Sequence, residues 1–131
     1  MNLQLSLKTK WFEMTKAGVK TEDYREINDY WCRRLLKLEY ELEYDAWLEM
    51  IEILSNTKQF DSVGIEENME FFGVKFKGLD TNTITLGYPS ASDKDRILKL
   101  EHKGIEIRTG NPEWGAEPNK LYFVIKHGKR I

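Results

Sequence analysis

The period of the hydrophobic pattern changes twice along the chain, and this constrains the fold more than any other feature of the sequence. Leu3, Leu5 and Leu7 alternate with polar residues, which is typical of a half-buried strand. Residues 44–55 instead place large apolar side chains at helical spacing. Alternation then returns in the second half of the chain. The order strand, helices, strands predicts an α+β protein with a small, barrel-like sheet.

Residues that commonly begin or end helices define the boundaries of these elements. Thr9 can cap a helix over residues 10–17, and Gly18 can end it. Asn28 or Asp29 can cap a second helix. The remaining elements predicted from periodicity are a helix over 44–55 and strands over 3–7, 71–77, 83–88, 96–107 and 121–126. Residues 19–27 are predicted to begin as a tight loop and to continue as a strand.

The charge of the chain is distributed unevenly. With 131 residues, the chain has the length of one ordinary domain, and its 20 Lys and Arg against 22 Asp and Glu give a net charge of −2. Residues 1–38 carry +3, residues 39–70 carry −9, and residues 71–131 carry +4. Because salt screens charges over about 8 Å, the acidic segment does not erase a basic face elsewhere.

Composition excludes several kinds of site. Cys32 is the one cysteine, so an intramolecular disulfide and a Cys-based zinc site are excluded. His102 and His127 have no Cys or carboxylate at metal-ligand spacing, so no metal is expected. No apolar run approaches the roughly 18 residues that span a bilayer, and residues 1–10 lack the apolar core of a signal peptide. We expect a cytoplasmic protein with no membrane partner.

A short segment after the first helix resembles the signature of the ASCH domain family. That signature reads Gly-x-Lys-x-x-x-x-Arg, commonly with an acidic residue two positions after the Lys. The matching residues are Gly18, Lys20, Glu22 and Arg25. Residues 5–14 and 104–126 also resemble the opening and closing elements of bacterial and phage members. The likeness covers about 3–38 and 84–131 of one domain, 1–131, and the segment at about 39–70 looks like an acidic helical insertion.

The resemblance implies a PUA-like fold, a small mixed β-barrel with helices packed against it. ASCH domains are similar to RNA-binding PUA domains and are generally proposed to bind RNA or nucleotides beside the motif loop. No cofactor is expected. Some small members are amidohydrolases that act on acetylated cytidine, and others have ribonuclease activity. The amidohydrolases carry Thr three residues after the motif Lys; here that residue is Asp23, which favours a binding protein.

The motif residues have chemistry that suits a nucleotide ligand. Lys20 supplies a point charge, and Arg25 supplies a planar fork for phosphate or a carbonyl edge. Tyr24 can stack on a base or line the barrel. Glu22 would share a strand face with Lys20 and Tyr24, or neutralise Lys20 or Arg25 in an ion pair. Gly18 permits positive φ and a close backbone approach, or simply ends the helix.

Four further residues are predicted to contribute to this basic cleft. Lys8 and Lys10 follow the first strand and can extend the rim of the cleft, although both also suit an ordinary surface. Arg33 follows aromatic residues on the second helix, a mixture that suits RNA contact. Trp114 lies in a loop held by two prolines, where it can stack on a base or plug one end of the barrel.

The sequence therefore predicts one favoured function and leaves two alternatives. The favoured one is binding of RNA or a nucleotide-like ligand in a cleft lined by Lys20, Glu22, Tyr24 and Arg25. The first alternative is an amidohydrolase acting on a modified pyrimidine nucleoside, in which Lys20 acts as base and Glu22 or Asp23 assists. The second alternative is a protein-interaction module, in which the acidic segment 39–70 contacts a protein partner.

Overall fold

The computed structural model describes residues 1–56 and 62–131 and confirms the α+β class. The acidic segment extends over residues 57–61, which lie outside the described residues. Strands and helices follow in the order β1 (Asn2–Leu7), α1 (Thr9–Lys16), β2 (Glu22–Arg25), α2 (Asp29–Leu35), β3 (Leu36–Leu38), α3 (Tyr44–Ser55), α4 (Ser62–Phe72), β4 (Val74–Phe76), β5 (Thr81–Leu86), β6 (Ile97–Thr109) and β7 (Leu121–Arg130). Two short 3₁₀ helices cover Lys94–Arg96 and Pro112–Trp114.

Strand pairing gives one main sheet in the order β1-β5-β6-β7-β2 and a two-stranded sheet of β3 and β4. β1 and β5 are parallel, from Asn2 opposite Thr81 to Leu7 opposite Leu86. β5 and β6 are antiparallel. None of the helices in the described ranges is long and apolar enough to cross a bilayer.

The chain divides into two compact units, and β2, β6 and β7 each contribute residues to both. Unit 1 comprises residues 1–23, 78–104 and 125–131. Its buried residues follow the alternation of the sequence, because one face of each strand packs inward. They include Leu3, Leu5, Leu7, Phe12, Ile84, Leu98, Leu100 and Ile125.

Unit 2 comprises residues 24–77 and 105–124 and contains α2, α3 and α4. The apolar stripe of α3 buries Trp47, Met50 and Leu54, as its helical spacing predicts. Tyr122 and Val124 of β7 pack with Ala116, and Tyr24 lies against this cluster.

Two details of the predicted elements are corrected. The first helix begins at Thr9 with Lys8 at its N-cap, so Thr9 is not the capping residue. The strand predicted over 71–77 is shorter, since Phe71 and Phe72 complete α4 and β4 covers Val74–Phe76.

Candidate functional site

The motif loop follows α1 directly and turns at Gly18. The N–H of Gly18 donates to the carbonyl of Thr15 at 3.1 Å, and the N–H groups of Val19 and Lys20 both donate to the carbonyl of Met14. Gly18 has φ +77°, and a Cβ added there would meet no heavy atom within 4 Å. Backbone conformation therefore explains this glycine, and its predicted role in ending the helix is confirmed.

The loop buries two of the candidate residues as an ion pair. Lys20 is 3% exposed and Asp23 is 2% exposed, and the Lys20 ammonium donates to Oδ1 of Asp23. The other carboxylate oxygen, Oδ2, lies 2.6 Å from Nε2 of His127 on β7. Glu22, the neighbour of Asp23, is itself only 9% exposed at the start of β2.

Two residues of neighbouring strands extend this arrangement. Asn82 is fully buried on β5, and its side-chain Nδ2 lies 2.8 Å from Nδ1 of His127 and donates to the carbonyl of Lys126 at 3.4 Å. Its Oδ1 lies 2.8 Å from Nδ1 of His102 on β6. We call Lys20, Asp23, His127, Asn82 and His102 the buried network.

The hydrogen-bond pattern assigns the protons of the buried network. An amide nitrogen can only donate, so Nδ1 of His127 accepts from Asn82. In the neutral ring, the proton then lies on Nε2 and is donated to Asp23. His102 in turn donates from Nδ1 to Oδ1 of Asn82. Among the described residues, no buried side-chain nitrogen or oxygen lacks a hydrogen-bond partner, which offsets the cost of burying the network.

Two pKa values in the network lie below their ordinary range. Burial raises the pKa of Asp23, but the hydrogen bond from His127 and the charge of Lys20 together outweigh it, so the pKa falls below 3.8. Burial, reinforced by the nearby His127, lowers the pKa of His102 below 6.5. At neutral pH, Asp23 is therefore a carboxylate and His102 is neutral.

A pocket of about 140 Å³ adjoins the network within unit 1. We call it the motif pocket. Its polar and charged lining side chains are Thr15, Lys16, Lys20, Thr21, His127 and Arg130. Lys16 and Arg130 are exposed, whereas Lys20 and His127 connect the pocket to the buried network. Sites that enclose whole drug-sized ligands span about 300–1,000 Å³, so this pocket fits one small group such as a phosphate.

The structure places the other predicted residues of unit 1 apart from this lining. Of the predicted residues, only Gly18 and Lys20 are among those that line the motif pocket. Lys8 lines a different depression, together with Thr9, Tyr88 and Arg96 among others. Lys10 is exposed, with its ammonium 4.7 Å from the ring centroid of Trp11.

Tyr24 and Arg25 make their described contacts in unit 2. The Tyr24 hydroxyl accepts from the N–H of Asn111 at 2.9 Å, and its ring lies 5.7 Å from that of Tyr122. The Arg25 guanidinium donates to the carbonyl of Tyr24 and lies 5.2 Å from the ring centroid of Trp31. Both residues support the packing of unit 2.

Arg33 and Trp114 also belong to unit 2. Arg33 is exposed and pairs with Asp29 at 3.0 Å, with its guanidinium 5.1 Å from the ring centroid of Trp47. Trp114 is half-buried in a 3₁₀ turn, which Asn111 caps by accepting from the N–H of Glu113.

Sequence reasoning missed Lys16, Asn82, His102, His127 and Arg130 as members of the site. His127 is 104 residues from Asp23 and 45 residues from Asn82, so no local spacing relates them. The one available signal was the presence of Asn82 on the strand face that otherwise carries Ile84 and Leu86.

Across residues 1–56 and 62–131, no group of three or more His, Cys, Asp and Glu side chains is placed to hold a metal ion.

Comparisons with protein-family models, with curated proteins and with solved structures give no match for this chain.

Proposed function

We propose that this chain binds RNA or a nucleotide-like ligand and holds one phosphate group at the motif pocket. The observation that carries this proposal is the lining of that pocket, where Lys16, Lys20 and Arg130 surround a space suited to a small anion. Thr21 and Gly18 line the same space. The charge of Lys20 is balanced by Asp23. The positive charge that attracts the anion therefore comes mainly from Lys16 and Arg130, which are both exposed.

The charges of the two units support this choice of site. Unit 1 carries 11 basic and 7 acidic side chains, a net charge of +4, whereas unit 2 carries 9 basic and 15 acidic, a net charge of −6. A polyanion is attracted to the first kind of surface and repelled by the second. Since the pocket accommodates one small group, the rest of the ligand would lie on the outer surface of unit 1.

The resemblance to ASCH domains supports this proposal. That resemblance implies a PUA-like barrel, and the cysteine usage implies a cytoplasmic location. The sheet order and the helices are those of a small α+β protein. The motif residues Gly18 and Lys20 lie at the proposed site, which is where the family resemblance would put a ligand.

The test is fluorescence anisotropy of a labelled short oligouridylate. Arg130→Gln should weaken binding about 10- to 150-fold, the effect of losing one charge-assisted hydrogen bond of about 1.5–3 kcal/mol. Lys37→Gln removes the same charge from an exposed position of β3 and should leave the affinity unchanged. The logarithm of the affinity should fall with the logarithm of salt concentration by about 0.7 per phosphate contacted. Equal binding by both variants, or affinity independent of salt, would contradict the proposal.

The second candidate is an amidohydrolase acting on an acetylated pyrimidine nucleoside, and the proximity of Lys20, Asp23 and His127 to one pocket favours it. In that reaction Lys20 would act as the base and would have to lose its proton. Deprotonated Lys20 would leave the buried Asp23 carboxylate without its cation, which is costly. We therefore expect no turnover of acetylated cytidine by chromatographic assay. Turnover that disappears in Lys20→Arg, with an unchanged circular dichroism spectrum, would establish the enzyme instead.

A further inference from the structure

A second and larger depression lies in unit 2, between the end of α2, β3 and the start of α3. It has a volume of about 600 Å³, within the range of ordinary ligand sites. Its apolar lining consists of Leu36, Leu38, Leu42, Tyr44 and Trp47. We call this depression the α3 groove. It is distinct from the motif pocket, which belongs to unit 1.

The floor of the α3 groove is fixed by polar contacts. The indole Nε1 of Trp47 donates to Oδ1 of Asp29 at 2.8 Å, and Trp47 is only 6% exposed. Nε of Arg33 donates to the same oxygen at 3.0 Å, and its guanidinium lies over the Trp47 ring. This arrangement holds the aromatic floor in one position and offsets the charge of Arg33. A preorganised groove loses less entropy when a partner binds.

Large apolar side chains at this groove remain in water. Tyr44 is 66% exposed and Leu38 is 36% exposed. Tyr and Trp are enriched among the side chains that carry most of the binding energy at protein interfaces, and exposed apolar patches commonly mark such interfaces.

The charge around the groove selects the partner. Residues 39–56 contain six acidic side chains and no basic one, and Glu41 and Glu43 line the groove itself. Such a surface repels phosphate and attracts Lys and Arg. A nucleic acid is therefore disfavoured, and a basic polypeptide is favoured.

We propose that the α3 groove binds a basic amphipathic peptide segment of another protein. Apolar side chains of that segment contact Tyr44 and Leu38, and its Lys or Arg residues lie beside Glu41 and Glu43. This interaction surface does not depend on the function proposed for unit 1.

The probe is a labelled synthetic peptide of Leu and Lys in helical amphipathic order, compared with the same peptide carrying Ser for each Leu. Wild-type protein should bind the Leu peptide at least about 10-fold more tightly, since apolar anchors provide most of the energy. Tyr44→Ser should weaken binding of the Leu peptide about 5- to 30-fold. The double variant Glu41→Gln with Glu43→Gln should weaken it about 2- to 25-fold, or about 1.4- to 5-fold for each exposed charge.

A double variant on α3 itself, away from the groove, provides the matched control. Glu49→Gln with Glu52→Gln removes the same charge from positions that do not line the groove, and binding should change less than about twofold. Equal loss in the two double variants, equal binding of the Leu and Ser peptides, or no binding of the Leu peptide would overturn the proposal. Sedimentation that shows a dimer of wild type abolished by Tyr44→Ser would also overturn it, because a second copy of the chain would then occupy the groove.

Discussion

Asp23→Asn removes the one described carboxylate that receives both the Lys20 ammonium and the His127 ring. Asn is nearly isosteric with Asp, so the substitution changes charge and proton pattern and leaves volume unchanged. Its side chain has one oxygen and one NH₂ group, so one of the two donors then faces an amide NH₂. His127 cannot adapt by moving its proton to Nδ1, because Nδ1 would then face the donating amide of Asn82.

The expected loss of stability is large for a single substitution. Lys20 and Asp23 are 3% and 2% exposed, so Asp23→Asn leaves a buried ammonium without its counter-charge. Breaking a buried ion pair by removing one partner costs about 3–5 kcal/mol. This is a substantial part of the roughly 5–15 kcal/mol that separates folded from unfolded states. For a chain of this length, the melting temperature should fall by about 10–25 °C.

Thermal and urea unfolding followed by circular dichroism measure this loss. Asp93→Asn is the matched control, since it removes the same charge from a surface ion pair with Arg96 in which both side chains are substantially exposed. Solvent screens that pair, so the melting temperature of the control should hardly change. A loss below about 1 kcal/mol for Asp23→Asn, or equal losses in the two variants, would refute the assignment of a buried, mutually dependent network.

Three further predictions concern titration and reactivity. Burial and the neighbouring His127 lower the pKa of His102 below 6.5, so on acidification the unfolded chain binds a proton at His102 before the folded chain does, and the free energy of unfolding should decrease as the pH falls through 6.5. Urea unfolding at several pH values measures this dependence; the same dependence in His102→Gln would show that His102 is not its source. In the neutral form of the His127 ring, ¹⁵N chemical shifts should show the proton on Nε2 and none on Nδ1; the opposite tautomer would refute the proton pattern. Burial, with a smaller effect of the Asp29 charge, raises the pKa of the Cys32 thiol to about 12, so a disulfide reagent at mildly alkaline pH should react only after unfolding; fast reaction with the native protein would contradict this burial.

Several elements were predictable because their signals are local. Asn28 accepts from the N–H of Trp31 at 2.9 Å, so the N-cap predicted for the second helix is confirmed. The third helix covers Tyr44–Ser55, as its apolar spacing indicates. In both cases, side chains three or four residues apart decide the structure.

The fourth helix was missed because two periods coincide near its end. Phe72, Val74 and Phe76 alternate as in a strand, yet Phe72 belongs to α4 and the strand begins only after Gly73. Gly73 has φ +66°, which separates the helix from the strand at a single residue. Alternation over so few residues does not distinguish a short strand from the last turn of a helix.

The candidate site likewise contains residues that the sequence could predict and residues that it could not. Lys20 and Asp23 are three residues apart, and both were candidate residues in the sequence motif. Asn82, His102 and His127 join them through the pairing of distant strands, which hydrophobic periodicity does not specify. The basic lining of the motif pocket depends on Arg130 for the same reason.

A nuclear magnetic resonance titration of the ¹⁵N-labelled protein with the oligouridylate tests the central claim most directly. Ligand binding at the motif pocket should shift the backbone amide resonances of Gly18, Thr21 and Gly128, which line it. The resonances of α3, on the acidic unit, should remain unchanged. Saturable shifts confined to α3, or none at Gly18, Thr21 and Gly128 at saturating ligand, would contradict the account.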